Sequence, residues 1–283
     1  MENNPRKIQT GSFYTYLNET GAGNQEAILF LHGSGPGASA WSNWQYILPE
    51  FGDKFHCIAP DLIGFGKSEH PQNPPLGMSK WMRIWTDQII SLLDSLEIPK
   101  IHLVGNSAGG AVALQLMMDF PDRFDRIVLM GAAGAPTKIT TELDRTWGYY
   151  DAPSPELMAN IISWFSYNSS GITAELKQIA TMRFEAAMNP DVRRSFEAMF
   201  PAPRQQHLDD VIIPDGTLRN MNHPFLLIHG LEDLLVNVDT SYYLIKHLPK
   251  AQMHIFNHCS HWTQIEYKDA FHTLLLQFFL KNL

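Results

Sequence analysis

Ile101-His102-Leu103-Val104-Gly105-Asn106-Ser107-Ala108-Gly109-Gly110 is the stretch whose reading decides the fold. Residues 101–104 form a short β-rich run without polar alternation, as expected of a strand buried on both faces, and residues 111–118 read as a helix. Between them stands Gly-x-Ser-x-Gly. In that setting the serine sits in a strained strand-to-helix turn, and the flanking glycines let backbones pack closely. The pattern is weak evidence alone, since a Gly-rich turn with an incidental serine would match it. Its placement between strand and helix makes Ser107 the candidate nucleophile.

The same alternation extends outward. Residues 13–17, 27–31, 55–59 and 127–130 are further β-rich runs, and residues 81–96 carry Trp81, Ile84, Trp85, Ile89, Leu92, Leu93 and Leu96 near helical spacing. Strands alternating with helices predict an α/β fold with a mostly parallel sheet covered on both faces. The alternation stops after about Pro136 and resumes near Pro224 with strands at residues 225–230 and 252–256 and a last helix at 271–280. The segment between looks all-helical, with Met158, Ile161, Ile162 and Phe165 on one face and several prolines as punctuation. We therefore expect a core of residues 1–137 and 209–283, and a helical cap of residues 138–208 over the carboxyl ends of the strands, where open parallel sheets bind ligands.

Composition narrows the function. The 283 residues carry 21 Lys+Arg against 29 Asp+Glu, a formal charge of −8, with 45% hydrophobic and 18% charged residues. The charged fraction is below the roughly 25% of average domains, which excludes disorder and implies a large core. An acidic balance without a basic cluster argues against nucleic acid and anionic membranes as partners. With no apolar membrane span and no apolar signal core at the start, the expected location is the cytoplasm. Cys57 and Cys259 offer no disulfide framework and no metal-ligand spacing, so neither metal nor cofactor is expected.

A serine hydroxyl needs a base, and the base needs an acid to fix its tautomer. Asp233 follows the strand ending at Gly230, and His261 follows the strand ending at Phe256, so both belong to the sheet edge that carries Ser107. Twelve histidines compete. His258 shares the loop of His261 and is its rival; His229, within a strand, reads as core; His32 opens a Gly-rich loop. Glu232 competes with Asp233. Donors for a developing oxyanion are expected from the Ala108 amide and from His32-Gly33-Ser34-Gly35-Pro36-Gly37, by the Ser34 amide or that of Gly33. This loop lacks the Lys-Ser/Thr of a phosphate-binding loop.

One residue conflicts with its surroundings. In a helix read over residues 173–188, Leu176, Ile179, Ala180, Ala186 and Ala187 form an apolar face with Arg183 in its middle. A structural ion pair is the bland explanation. The sharper one is an anionic substrate, most naturally a carboxylate held bidentately, because an unpaired buried charge is very costly. Asn43 and Asn106 are amides that suit an oxygen-rich ligand, though each also suits a turn.

These residues resemble the α/β-hydrolase pattern over the whole chain and, within it, the meta-cleavage product hydrolases, closest to those acting on 2-hydroxymuconic semialdehyde. The matching pieces are LHGSGPG with Asn43-Trp44, PDLIGFGKS, GNSAGG, LMGAAG, Trp147-Gly148-Tyr149, Arg183-Phe184-Glu185-Ala186, Met199-Phe200-Pro201, Pro203-Arg204-Gln205, and His261-Trp262 with Gln264-Ile265-Glu266. The resemblance implies Ser107, Asp233 and His261 as a triad, and Asn43, Asn106, Arg183 and Trp262 around a dienol-carboxylate. It implies hydrolysis of 2-hydroxy-6-oxo-2,4-dienoates to 2-hydroxypenta-2,4-dienoate and a carboxylic acid; some ester hydrolysis is expected beside it on separate grounds, because an ester carbonyl needs the same oxyanion hole and the same base. A plain carboxylesterase or a hydrolase-fold receptor would share the triad. Members of the family often form dimers or higher assemblies. The chain departs from the usual pattern at Ala108, where Phe or Met is common, at Ser260 for Gly and at Asn237 for Pro. The first predicts a roomier pocket, lined by Ala108, Ala133, Trp147, Met199, Phe200 and Val236.

Overall fold

In a computed structural model, described for residues 2–167 and 174–281, the strands are β1 (Arg6–Thr10), β2 (Phe13–Thr20), β3 (Ala27–Leu31), β4 (His56–Pro60), β5 (Ile101–Asn106), β6 (Phe124–Met130), β7 (Phe225–Gly230) and β8 (Ala251–Phe256). They form one sheet in the order β1-β2-β4-β3-β5-β6-β7-β8. β1 and β2 are antiparallel to each other, as are β2 and β4; the rest of the sheet is parallel. The fold is α/β, as the alternation predicts. Sequence reading missed β1, whose Arg-Lys-Ile-Gln-Thr looks polar because it is an edge strand.

The unbroken apolar runs divide by period two. Ile28, Phe30, Val104, Val128, Leu226 and Ile228 point to one face of the sheet, and Leu29, Leu31, Leu103, Ile127, Leu129 and Leu227 to the other. Helices α1 (Ala40–Trp44) and α2 (Leu48–Phe51) lie before β4, α3 (Met78–Ser95) before β5 and α4 (Ala108–Asp119) after it. On α3, Trp81, Trp85, Ile89, Leu92 and Leu93 are fully buried, as their spacing predicts, while Ile84 and Leu96 are only partly covered.

Between β6 and β7 the chain runs through α5 (Thr141–Trp147), α6 (Pro155–Trp164), α7 (Ala174–Ala187), α8 (Pro190–Met199), α9 (Gln205–Asp209) and α10 (Asp215–Asn220). This is the helical insertion expected between strands. Met158, Ile161, Ile162 and Phe165 are all buried, Phe165 just past the end of α6. Thr173, where the sequence reading starts the arginine-bearing helix, and the side chain of Glu175 lie outside the described residues. α11 (Asp239–His247), α12 (Thr263–Glu266) and α13 (Lys268–Phe279) complete the fold. Phe271, Leu275, Phe278 and Phe279 of α13 close the face opposite α3 and α4. No helix among the described residues is long and apolar enough to cross a membrane.

Register aligns the functional loops. Leu31 pairs with Gly105, Gly105 with Leu129, Leu129 with Leu227, and Leu227 with Met253. Because these strands are parallel, the loops that follow them emerge along one edge.

Candidate active site

Ser107 stands between the last residue of β5 and the first of α4, with φ 57° and ψ −120°. A left-handed φ is costly for a residue with a side chain, and the surroundings hold it there. The Ser107 amide donates to the Met130 carbonyl at 2.9 Å, and its carbonyl accepts from Ala133 at 3.1 Å. Gly109 is needed for close approach, since a Cβ there would lie 2.6 Å from the carbonyl oxygens of Leu31 and His32. Ala108 is the first residue of α4, so its amide has no partner within the helix and is free to meet an anion.

Gly131, next along the sheet edge, lies against both other candidate groups. A Cβ there would sit 3.0 Å from His261 Nδ1 and 3.1 Å from Asp233 Oδ2. His261 Nδ1 donates to Asp233 Oδ2 at 2.6 Å, and both side chains are buried. Asp233 Oδ1 accepts from the Leu235 and Val236 amides at 2.8 and 2.9 Å. Burial alone would raise the Asp233 pKa, but the two histidines at its carboxylate reverse that and hold it well below the usual carboxylate range. With Nδ1 committed, His261 offers Nε2 as the acceptor. That Nε2 is buried without a partner among the described residues, so no hydrogen bond joins it to Ser107. Such bonds are often long in ligand-free enzymes and tighten in the substrate complex.

The rival groups are occupied elsewhere. His258 is exposed and packs against the Tyr167 ring. Glu232 is partly buried and accepts from the Cys259 amide. His32 accepts from the Leu62 amide at Nε2, so its Nδ1 donates to the Gly33 carbonyl; burial pushes its pKa down to about 4 and keeps it neutral. His229 is core, as read, but also lies 3.2 Å from Asp233 Oδ2, a contact that sequence reasoning missed. Its four-residue separation from Asp233 crosses a strand end, where no fixed periodicity applies.

Arg183 is 2% exposed and shares its buried face with Leu176, Ile179 and Ala187; Ala180 and Ala186 are only partly covered. Its guanidinium stacks over Trp262 and Phe165, at 5.1 and 5.5 Å. Nε and Nη1 have no hydrogen-bond partner, and no carboxylate pairs with the group among the described residues. Burial pushes its pKa down to about 9, so it stays charged at neutral pH at an electrostatic cost. The Gly-rich loop makes room for it: Gly37, with φ 65°, abuts the Arg183 carbonyl, and Gly35 abuts Nη1. Sequence alone suggests only oxyanion contacts for that loop, because the arginine that packs on it comes from a helix distant in the chain.

Among the described residues, other buried groups without a hydrogen-bond partner include both polar atoms of the Asn43 amide and the Trp262 indole nitrogen. Asn106 differs, since its Nδ2 donates to the Met130 carbonyl at 3.1 Å, the structural use open to any such amide. Ser34 accepts from Trp147 Nε1 at 2.9 Å, and Phe200 stacks on Trp147 at 4.4 Å, which ties α5 to the loop after β3. Gly33 abuts Ser107 and Asn106, Ala133 is buried beside Ser107, and Val236 lies in the acid loop. The Met199 tip reaches Gly64, which also abuts Trp81.

Comparison with known proteins agrees with this architecture. The α/β hydrolase fold family matches residues 26–267. The chain is 40% identical to the 2-hydroxymuconate semialdehyde hydrolase of Pseudomonas sp. (strain CF600), over 96% of this chain and 93% of that one. A serine hydrolase from the polyaromatic hydrocarbon-degrading bacterium Cycloclasticus zankles superposes with a TM-score of 0.95 at 45% identity, covering 98% of each chain. A meta-cleavage product hydrolase from Pseudomonas fluorescens IP01 superposes with a TM-score of 0.91 at 37% identity, again covering 98% of each. A strand-to-helix serine, a buried His-Asp pair and full-length likeness converge: the chain is a hydrolase of the meta-cleavage product hydrolase family, within the α/β-hydrolase fold, and belongs to aromatic catabolism.

Proposed function

We propose that the protein hydrolyses the carbon-carbon bond of small 2-hydroxy-6-oxo-2,4-dienoates, 2-hydroxymuconic semialdehyde and its 6-alkyl relatives among them. The observation that carries this reading is the group of buried polar atoms on Arg183, Asn43 and Trp262 that have no hydrogen-bond partner among the described residues. A dienoate carboxylate and its 2-oxygen supply the anion and acceptors those groups lack. A simple ester has no use for the arginine.

In this reading Arg183, Asn43, Asn106 and Trp262 hold the carboxylate end and favour the keto tautomer. That tautomer provides the electron sink for bond cleavage. Ser107, or a water activated in its place, adds to the 6-oxo carbon while His261 takes its proton and Asp233 holds the imidazolium. The Ala108 amide, with that of Ser34 or Gly33, receives the developing negative charge. The C5–C6 bond then breaks, its electron pair passes into the dienolate, and His261 returns the proton. Where Ser107 is the nucleophile, water then hydrolyses the acyl-serine and releases the carboxylic acid; where water adds directly, the acid is already formed. Residues 138–208 act as the cap, and Ala108, Ala133, Trp147, Met199, Phe200 and Val236 surround the 6-substituent. Two alanines beside Ser107 leave room for larger substituents and for ester substrates.

Arg183→Gln and Ser107→Ala test the reading on 6-methyl and 6-phenyl dienoates and on a nitrophenyl ester, followed by loss of visible absorbance and by nitrophenol release. Arg183→Gln should lower dienoate kcat/KM by about 100-fold or more and spare the ester, while Ser107→Ala should abolish both. Equal losses on both substrates with Arg183→Gln would mean that the arginine does not serve the dienoate carboxylate, and would overturn this reading.

A further inference from the structure

His229 is a fully buried histidine outside the assigned reaction, and it touches the one carboxylate that orients the base. Its Nε2 lies 2.8 Å from the Val236 carbonyl and 3.2 Å from Asp233 Oδ2. Neither oxygen can donate, so Nε2 carries the proton. Its Nδ1 lies 2.7 Å from Ser241 Oγ on α11, a hydrogen bond that anchors the other side of the ring. Nε2 is thus a donor held in place by contacts at both ends of the ring. Its N–H edge faces the same carboxylate oxygen that takes the 2.6 Å bond from His261.

We propose that His229 is a positioning residue for Asp233: with Ser241 orienting its ring, it fixes Oδ2 and weakens that oxygen's pull on the His261 imidazolium. This rests on the reading of Asp233 and His261 as acid and base. An ionised carboxylate in an apolar setting holds an imidazolium tightly, and each further donor on the carboxylate spreads its charge and loosens that hold. Asp233 Oδ1 is already satisfied by the Leu235 and Val236 amides, so His229 is the group that distinguishes Oδ2. Its effect is to keep His261 basic enough to take a proton and weak enough to release it.

Other ionisable groups near the pair are held by their own contacts. Glu232 accepts from the Cys259 amide, and Glu266 on α12 accepts from the Ser260 amide. The Cys259 thiol is held protonated by burial and by those carboxylates. The insertion contributes the Phe165 ring, 5.4 Å from His261, and Gly131 faces the pair from β6. Asp239, in the first turn of α11, is exposed.

The test is the pH dependence of kcat/KM on a 6-methyl dienoate for wild type, His229→Leu, His229→Gln and Ser241→Ala, with Tm measured for each. Leucine removes the donor, whereas glutamine places an amide N–H near the position of Nε2. We expect the acidic limb of His229→Leu to move to higher pH by about half a unit or more, with kcat reduced about tenfold. His229→Gln should return both toward wild type, and Ser241→Ala should shift the limb less, in the same direction. Lowered Tm with an unmoved limb in His229→Leu would make the residue merely structural and overturn the proposal. If His229→Leu does not fold, an unmoved limb in Ser241→Ala does the same. His261→Ala separates the two levels: retained turnover would remove the acid-base reading and this inference with it. Lost turnover beside unmoved limbs would remove this inference alone.

Discussion

At the residue scale the most informative side chain is Arg183, because it is placed where folding alone would not put it. A buried guanidinium with no carboxylate to pair with among the described residues opposes folding, and replacing a buried charge by an apolar side chain of similar volume is often stabilising. Arg183→Met is therefore expected to raise unfolding stability by about 1–3 kcal/mol while removing dienoate turnover. Denaturant unfolding and kcat/KM measured on one preparation check this; a destabilised variant would mean that the arginine has a structural partner. The sequence showed the conflict as a charge on an apolar helical face. It could not distinguish an ion pair from a ligand site, because the groups that surround the guanidinium come from the loop after β3, from Phe165 and from Trp262. Asn43 and Asn106 looked equivalent in sequence. Packing separates them, since the carbonyl of Met130 satisfies one and nothing among the described residues satisfies the other.

At the element scale the polar edge of the sheet depends on a carboxylate. Glu19 of β2 accepts from Arg6 Nε at 2.8 Å and Nη2 at 3.1 Å, and from His56 Nε2 of β4 at 2.7 Å, which ties three neighbouring strands together. Burial alone would raise its pKa, but the bonds to His56 and Arg6 more than reverse this and lower it from 4.5 to about 2. A depressed carboxylate pKa gives stability that is present above the unfolded value and lost as pH falls through the folded one. Glu19→Gln should lower stability at pH 7 by about 2 kcal/mol, less than the full linkage value because Arg6 is partly solvated. It should also flatten the loss of stability between pH 4.5 and about 2. Parallel stability-pH curves for the two proteins would refute this. β1 escaped the sequence reading for a related reason: an edge strand partnered on one side needs little apolar character, and its pairing is decided by β2 and the ion pair. The inner strands and α3 were legible because burial imposes a periodicity that the local sequence must satisfy.

At the scale of the whole molecule the helical insertion and the sheet meet at the loop that carries His261. Glu266 Oε1 accepts from the Ser260 amide at 2.7 Å, while Oε2 accepts from the Tyr167 amide at 2.7 Å and from Ser166 Oγ at 3.1 Å. Ser260 Oγ donates to the Trp164 carbonyl, and the Trp262 amide to that of Phe165. One carboxylate thus bridges the end of α6 to the histidine loop, and Ser260 in place of the family's usual glycine adds a side-chain bond. Glu266→Gln can accept on one side only. We expect KM for a dienoate to rise about tenfold, consistent with loss of one charge-assisted hydrogen bond, with the CD spectrum unchanged; an unaltered KM would show that the bridge does not couple to the site. The sequence by itself determined the alternating strands and helices, the strand-to-helix serine, the position of the insertion and the odd arginine, because each is written in residues adjacent along the chain. Only the tertiary structure decided which of the twelve histidines meets Asp233, that His229 meets it too, and that Arg183, Asn43 and Trp262 keep polar atoms without partners among the described residues. Those outcomes depend on which distant side chains share a buried volume, and on which polar atoms find partners there, and no local pattern encodes that.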